Sequence, residues 1–345
     1  MMYGQLENKN ILLVTQNLDL TFPIILILNK MGIKPYVIGP TCNSFFFNSK
    51  IFCKKYVEYN IDEMGYTYSS TISSFDTNFI DLVNQTYREL NIDILLPIDY
   101  TVILTLSKYS ELIDKNINIA AHVDEKTLRF LNNKWNFSLL CKELNISQPE
   151  TQLLTSQKNI STLDFNFPII VKPLNNGGGF GIEVLHSKDE LINHVKQNNI
   201  NLQRDSLLVQ NYIEGKNLQV FILAIKGEVK AYSMCYMNQK GKREFIHDNK
   251  ILNECKRIIK KTNYDGVGLI DIRCDNNDNS YFLEINLRFP SSTLYHFEAG
   301  VNYVELLLAA CIEDLKEIKN PVLNNIVRRT IWDTLLVKLN SYLLN

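Results

Sequence analysis

The sequence predicts a parallel α/β layer in the first third of its 345 residues, followed by antiparallel α+β units. Three observations carry this expectation. Short apolar runs alternate with helical ones up to about residue 100. Beyond residue 168 the apolar runs turn back on themselves across Gly- and Asn-rich segments. Residues 281–289 alternate with period two.

Residues 11–15 read as a buried strand, 22–30 as a helix stopping before Gly32, and 35–38 as the next strand. A helix over 78–90 and a strand over 92–98 repeat the unit, and Asp99 can cap the helix that follows. Such alternation is Rossmann-like in layout. The GxGxxG fingerprint is missing after the first strand, so NAD is not expected. Residues 124–144 read as one helix, broken by Ser147-Gln148-Pro149. Then come a strand over 168–173, a glycine-rich loop over 175–181, a returning strand over 182–185, a helix over 188–197 and a strand over 207–210. After a linker at 212–216, strands over 219–225 and 228–237 begin another antiparallel unit, which holds the hairpin 266–290 and a helix over 304–311. The tail, 316–345, reads as helical. The chain thus divides at 1–120, 121–212, 213–315 and 316–345.

The hairpin is the most informative segment. Strict alternation over 281–289 puts Tyr281, Leu283, Ile285, Leu287 and Phe289 on one face, and Phe282, Glu284, Asn286 and Arg288 on the other. A symmetric turn centred between Asn277 and Asp278 makes Asp271 the partner of Glu284. Facing carboxylates repel. A cation between them removes that penalty, and oxygen ligands of this kind suit Mg²⁺. The competing reading is a solvated sheet face.

Composition excludes several classes. Hydrophobic content of 46% and charged content of 21% are those of an ordinary globular protein. A net charge of −1, with no basic stripe interleaved with aromatics, argues against a nucleic-acid partner. The clusters Lys240-Gly241-Lys242-Arg243 and 256–261 read as solvated faces. The apolar run 22–28 falls far short of the roughly 20 residues a membrane span needs. It follows a polar stretch and lacks a basic flank, so neither a membrane anchor nor a signal peptide is expected. Seven scattered cysteines without a CxxC pair suit a cytoplasmic protein with reduced thiols.

Lys172 ends an apolar strand and is followed by Asn-Asn-Gly-Gly-Gly-Phe-Gly. This is strand–turn–strand and so not a Walker A loop, yet glycine backbone N–H groups beside a lysine are chemically suited to phosphate. The order of elements is more specific. Asn132-Asn133-Lys134-Trp135, Pro149-Glu150-Thr151, the Lys172 strand with its loop, the segment from Val209 through Gly215, Asp271, and Glu284-Ile-Asn286-Leu-Arg288 together resemble the ATP-grasp superfamily over about residues 1–315. The step from Asp271 to Glu284 matches the D-alanine–D-alanine ligase pattern without a gap. The segment from Glu284 onward looks still closer to the pyrrolysine-pathway amino-acid ligase.

The resemblance implies a Rossmann-like N-terminal domain ahead of a two-subdomain ATP-grasp fold. It implies an ATP-dependent ligase that joins a carboxylate to an amine through an acylphosphate, on an amino acid or small peptide. Bicarbonate-activating enzymes and a non-catalytic ATP-binding protein are the alternatives. Lys134 and Lys172 would meet the ATP phosphates, beneath a lid formed by Gly177, Gly178, Gly179 and Gly181. Adenine would lie against Gln210, Tyr212 and Ile213, with Asn217 at the position of the ribose-binding carboxylate and Glu214 as its substitute. Asp271, Glu284 and Asn286 would hold two Mg²⁺ ions, with Mn²⁺ as the alternative. Arg288 and Lys172 would act on the transferring phosphoryl group. Leu269 stands where D-alanine ligases carry a substrate-binding arginine, which argues against that dipeptide product. His296 is the candidate base for the amine, against the ordinary alternative of a structural histidine. The resemblance also implies a homodimer.

Overall fold

A computed structural model describes residues 6–43, 50–59, 76–120, 123–175, 177–237, 242–312 and 326–328. The first layer is a five-stranded sheet of β1 (Ile11–Val14), β2 (Tyr36–Gly39), β3 (Lys55–Glu58), β4 (Ile94–Pro97) and β5 (Asn118–Ile119). Its order is β3-β2-β1-β4-β5 and every pair is parallel. Helices α1 (Leu18–Lys30), α2 (Thr77–Leu90) and α3 (Tyr100–Lys108) make the crossovers. Each opens on a side chain that accepts from an orphan N–H: Asn17 from Asp19, Asp76 from Phe79, and Asp99 from Val102. Capping at Asn17 starts α1 four residues before the predicted helix, and Leu18 and Leu20 are buried in it.

The helix predicted over 124–144 is two helices, α4 (Glu125–Asn132) and α5 (Lys134–Glu143). Asn133 between them is extended, and its amide oxygen accepts from the N–H groups of Trp135 and Asn136 at 3.0 and 3.1 Å. A residue that caps the second helix cannot also continue the first, so the break sets Lys134 at a helix start.

A four-stranded antiparallel sheet follows, made of β6 (Thr151–Leu154), β7 (Ile169–Pro173), β8 (Glu183–Leu185) and β9 (Leu207–Asn211), in the order β6-β9-β7-β8. Helices α6 (Gln157–Ser161) and α7 (Lys188–Gln197) accompany it; Ile160, Leu191 and Val195 share its core with Ile169, Val171 and Val209.

The largest sheet contains β10 (Gly215–Ile225), β11 (Glu228–Met237), β12 (Lys242–Ile246), β13 (Gly266–Asp275), β14 (Ser280–Asn286) and β15 (Ile326–Arg328). Its order is β14-β13-β10-β11-β12-β15. Gly215 opens β10 at φ +150°, where an added Cβ would stand 1.9 Å from the Cys274 carbonyl oxygen. Only glycine permits that strand to start so close to its neighbour. Helix α8 (Asn249–Thr262), absent from the prediction, covers one face through Ile251, Leu252, Cys255, Ile258 and Ile259. That spacing is helical, but the lysines interleaved with it masked the stripe. Helices α9 (Thr293–Glu298) and α10 (Tyr303–Ala310) pack the other face against α1. The helical expectation for 316–345 lies outside the described residues, except at 326–328. There the chain is strand β15, paired antiparallel with β12. Among the described residues no helix is long and apolar enough to cross a membrane.

Candidate active site

Strand register assembles the site. Glu284, Asp271, Gln219, Cys235 and Phe245 lie in one row across β14, β13, β10, β11 and β12. Asn286, Leu269, Phe221 and Ser233 form the next row on the same face. Leu218, Val220, Ile222, Ile270 and Ile272 point the other way into a core shared with α8 and with Phe137, Leu140 and Cys141 of α5. The polar part of the first face is therefore backed by a packed hydrophobic layer, which holds the side chains above it in place.

Asp271 does face Glu284, but not by the predicted route. Cys274 pairs with Ser280, Arg273 with Tyr281 and Ile272 with Phe282, so the turn is centred on Asn277. A bulge between Asp271 and Ile272 then shifts the register by one residue. The strict alternation expected over 281–289 fails at the same place. Phe282 is buried in the core with Ile285 and Leu287, whereas Leu283 lines the cavity beside Glu284. Without the bulge the two carboxylates would not be partners.

The cavity above this face measures about 570 Å³ and lies between the two antiparallel sheets. At one end are Ile170, Ile182, Val184, Gln210, Tyr212 and Ile213, mostly apolar and suited to a flat ring. Gln210 is buried and donates Nε2 to Thr151 Oγ1 at 2.9 Å, which leaves its Oε1 as the acceptor. Arg273 donates to the Ile213 carbonyl at 2.9 Å and to Asn217 Oδ1 at 2.5 Å, so what Asn217 presents is its amide N–H. Toward the middle are Lys172, Asp271, Glu284, Asn286 and Arg288, with Gly178 and Gly179 above them. Gly177 packs on two of these: a Cβ there would lie 3.4 Å from both Arg288 Nη2 and Asn286 Oδ1. Gly178, Gly179 and Gly181 take φ of +69°, +81° and +68°, which turns the loop over the cavity, although Gly181 does not line it.

The charges are tightly arranged. Lys134 Nζ, at the start of α5, is 3.3 Å from Glu284 Oε2. Asn286 Nδ2 donates to Asp271 Oδ2 at 2.9 Å and to Glu284 Oε1 at 3.4 Å, while Gln219 Nε2 donates to Asp271 Oδ1 at 2.9 Å. Burial and the charge of Glu284 push the Asp271 carboxyl up, against the pull of the Gln219 hydrogen bond, Arg288 and Lys172. For Glu284 burial also opposes ionisation, but Lys134 and Lys172 outweigh it and hold the carboxyl below its ordinary value. Burial pulls the Lys172 ammonium down to about 8, against the attraction of Glu284. Burial pushes the Asp99 carboxyl up, against the Gln16 and Val102 N–H groups and, more weakly, the charge of Arg288; Asp99 itself does not line the cavity.

A divalent cation fits this donor set. The carboxylate oxygens of Asp271 and Glu284 suit Mg²⁺, and Asn286, which turns its N–H to both of them, would add its oxygen once the amide is flipped. Two of the donors are half-buried like charges, and Gln219 Oε1 beside them is buried without a protein hydrogen bond among the described residues. The described residues contain no cluster of three His, Cys, Asp or Glu side chains, so the amide of Asn286 is needed to complete a set.

The reading of His296 as a base does not hold. Its ring is fully buried, with Nδ1 2.7 Å from Ser233 Oγ, and it does not line the cavity. The Tyr303 hydroxyl donates to the Phe221 carbonyl and contacts Ser233 Oγ at 2.8 Å, so it can accept from that serine. Ser233 then accepts from the imidazole N–H, and the network fixes a neutral ring. Burial, reinforced by Arg243, drives the His296 pKa down to about 3. A depressed folded-state pKa means that stability is fully present above the unfolded value near 6.5 and is lost as pH falls from there toward 3. Urea unfolding should therefore show the wild type losing about 2 kcal/mol more than H296Q between pH 7 and pH 5. Equal losses would show that the ring protonates freely in the fold.

Gln219, Arg243 and Arg273 line the cavity but were not singled out for it by sequence reasoning. The period-two pattern of β10 contains Gln219, yet nothing in one strand reveals which neighbour completes a row. Arg243, predicted to lie on a solvated face, lines the cavity.

Comparison with known proteins agrees with this geometry. The family described as "ATP-grasp in the biosynthetic pathway with Ter operon" matches residues 203–331, and "D-ala D-ala ligase C-terminus" matches residues 140–247. A carbamoyl-phosphate synthase from Methanobrevibacter smithii is 23% identical over 303 residues, covering 76% of this chain and 80% of that protein. A D-alanine–D-alanine ligase from Aquifex aeolicus is 25% identical over 166 residues, covering 43% of this chain and 55% of the relative, so the chain spans about half of that enzyme's length. In structure, the chain superposes on the biotin carboxylase domain of Hydrogenobacter thermophilus 2-oxoglutarate carboxylase, a complex with MgADP and bicarbonate. The TM-score is 0.69 at 16% identity, covering 92% of this chain and 73% of that one. Over residues 203–331 the chain is thus similar to an ATP-grasp family, and its fold is that of the biotin carboxylase domain. The ligases among the relatives are matched over little more than half of their own length.

Proposed function

We propose that the chain activates the carboxylate of an amino acid or small peptide with ATP and passes the acyl group to an amine, releasing ADP and phosphate. The observation that carries this reading is the meeting of Asp271, Glu284 and Asn286 with Lys172 and Arg288 at the middle of one cavity, with Lys134 paired to Glu284 at its wall. Adenine would occupy the apolar end, with its amino group donating to Gln210 Oε1 and its ring beside Tyr212 and Ile213; Asn217 would face the ribose. Asp271, Glu284 and Asn286 would hold divalent cations, two Mg²⁺ or Mn²⁺ ions. Bound there, the metal neutralises phosphate charge that would otherwise repel an incoming carboxylate.

The protein's own groups do the rest. Lys134 and Lys172 offer point charges to the phosphates, and burial, which lowers the Lys172 pKa, also strengthens its attraction for an arriving anion. Arg288 offers a planar fork to the oxygens of the phosphoryl group in flight. Gly177, Gly178, Gly179 and Gly181 let backbone N–H groups approach from above and keep water from the acylphosphate. We also propose a cytoplasmic homodimer, for which sedimentation equilibrium is the measure.

The test is ADP and phosphate release with a broad amino-acid panel, followed by mass analysis of products. AMP and pyrophosphate as the only products would overturn the reading. The carbamoyl-phosphate synthase relative favours a second one, in which bicarbonate is the carboxylate. ADP release stimulated by bicarbonate in the absence of any amine would select it.

A further inference from the structure

Thr151 does not line the cavity, yet it governs a group that does. On β6 it pairs with Gln210 of β9, which pairs in turn with Ile170 of β7. Gln210 is 2% exposed and lines the apolar end of the cavity together with Ile170, Ile182 and Val184. A primary amide has one accepting end and one donating end. In a pocket with this little polar surface, its orientation decides which ligand atom can stand against it.

That orientation is set by hydrogen bonds that run one way. The Thr151 hydroxyl donates to the Pro149 carbonyl at 2.7 Å, and a carbonyl can only accept. A hydroxyl has a single proton, so Thr151 shows Gln210 nothing but lone pairs. Gln210 must therefore offer an N–H, and it does so from Nε2 at 2.9 Å. Its Oε1 is left for the cavity. Turning the amide over would set its oxygen against the Thr151 oxygen, unless the hydroxyl also abandoned Pro149. In either case a hydrogen bond is lost at a buried position. A carboxylate in place of Gln210 would accept in any orientation. An amide would not, and here the threonine supplies what the amide lacks.

Resting on the nucleotide placement proposed above, we infer that Thr151 is a positioning residue for base selection. It locks Gln210 as an acceptor, so the cavity takes a purine with an amino group at position 6 and refuses one with a carbonyl there. Adenine meets that requirement, whereas guanine and hypoxanthine set an oxygen against Oε1. The selection does not lie in Gln210 alone. Released from Thr151, the amide could turn Nε2 toward a carbonyl and receive either kind of base.

The experiment measures Kd for ADP and for inosine diphosphate (IDP) by titration calorimetry with Mg²⁺, so no carboxylate or amine substrate is needed. IDP carries a carbonyl where ADP carries the amino group. The wild type should bind ADP about 5- to 150-fold more tightly than IDP, the factor for a buried acceptor left without a donor. T151V keeps the branched shape and removes the hydroxyl, and because Pro149 lines the cavity, water can take over its carbonyl. T151V should shrink the preference by about 5-fold or more, chiefly by binding IDP more tightly than the wild type does. T151S, which retains the hydroxyl, should keep the wild-type preference. A gain in IDP affinity is a result that a merely damaged pocket cannot produce. An undiminished preference in T151V, an equal weakening of both nucleotides, or a loss of preference in T151S as well would overturn the inference. So would a wild type that binds ADP and IDP alike. A wild type that binds neither instead overturns the nucleotide placement on which this rests. Should T151V fail to fold, T151A removes the same hydroxyl and carries the same expectation.

Discussion

Asp271→Asn is expected to abolish turnover while leaving the fold intact or slightly more stable. The two effects have one cause. Asp271 and Glu284 are cross-strand neighbours and are both half-buried, so in the free protein their repulsion opposes folding. An amide removes that charge–charge repulsion and keeps an oxygen to accept from Gln219. It also removes the charge that would draw a divalent cation to this row. Loss of one preorganised electrostatic group typically lowers kcat about 10²- to 10³-fold, and loss of a metal ligand acts in the same direction. Thermal melts with and without Mg²⁺ and an ATP analogue give the check. The wild type should be stabilised by the pair of additives, and D271N should be indifferent to them while melting no lower alone. Wild-type turnover in D271N would remove the metal assignment, and with it the orientation proposed for ATP.

Arg288→Lys should reduce kcat by about 10²- to 10³-fold with little change in KM for ATP. The charge survives this substitution, so the loss isolates the guanidinium geometry. Arg288 Nη1 donates to the Phe289 carbonyl at 3.0 Å and Nη2 approaches Asn286 Oδ1 at 3.4 Å, while Gly177 packs on its tip. These contacts hold the fork before substrate arrives. An ammonium on a flexible stem cannot make both and would be held less rigidly. Because Arg288 also opposes the desolvation of Asp99, Arg288→Ala would combine a catalytic defect with a loss of stability, and Lys is the cleaner probe. A kcat equal to that of the wild type in R288K would show that a point charge suffices there. A rise in KM for ATP with kcat unchanged would move Arg288 from the reacting phosphoryl group to ground-state nucleotide binding.

The site was partly legible before the fold was known. Its carboxylates, amide, lysines and glycine loop stand out because their chemistry is unusual for the apolar strands that carry them. Lys172 ends the run Pro168-Ile169-Ile170-Val171, and a lysine there has few structural reasons to exist. Gln219, Arg243 and Arg273 were not legible as site residues, because each sits in an ordinary alternating strand or a basic cluster. Their importance depends on which strands become neighbours.

The local pattern by itself determined the parallel layer, the glycine loop between antiparallel strands, the helix stop near Gly32 and the cap at Asp99. These depend on contacts between residues close in the chain, where spacing and side-chain type act directly. Tertiary structure decided the bulge that brings Asp271 opposite Glu284, the burial of His296 away from the cavity, and the turning of Arg243 inward. Each of these depends on packing between segments remote in sequence. A one-residue change of register there exchanges the buried and exposed faces of a whole strand, at an energy no local pattern contains.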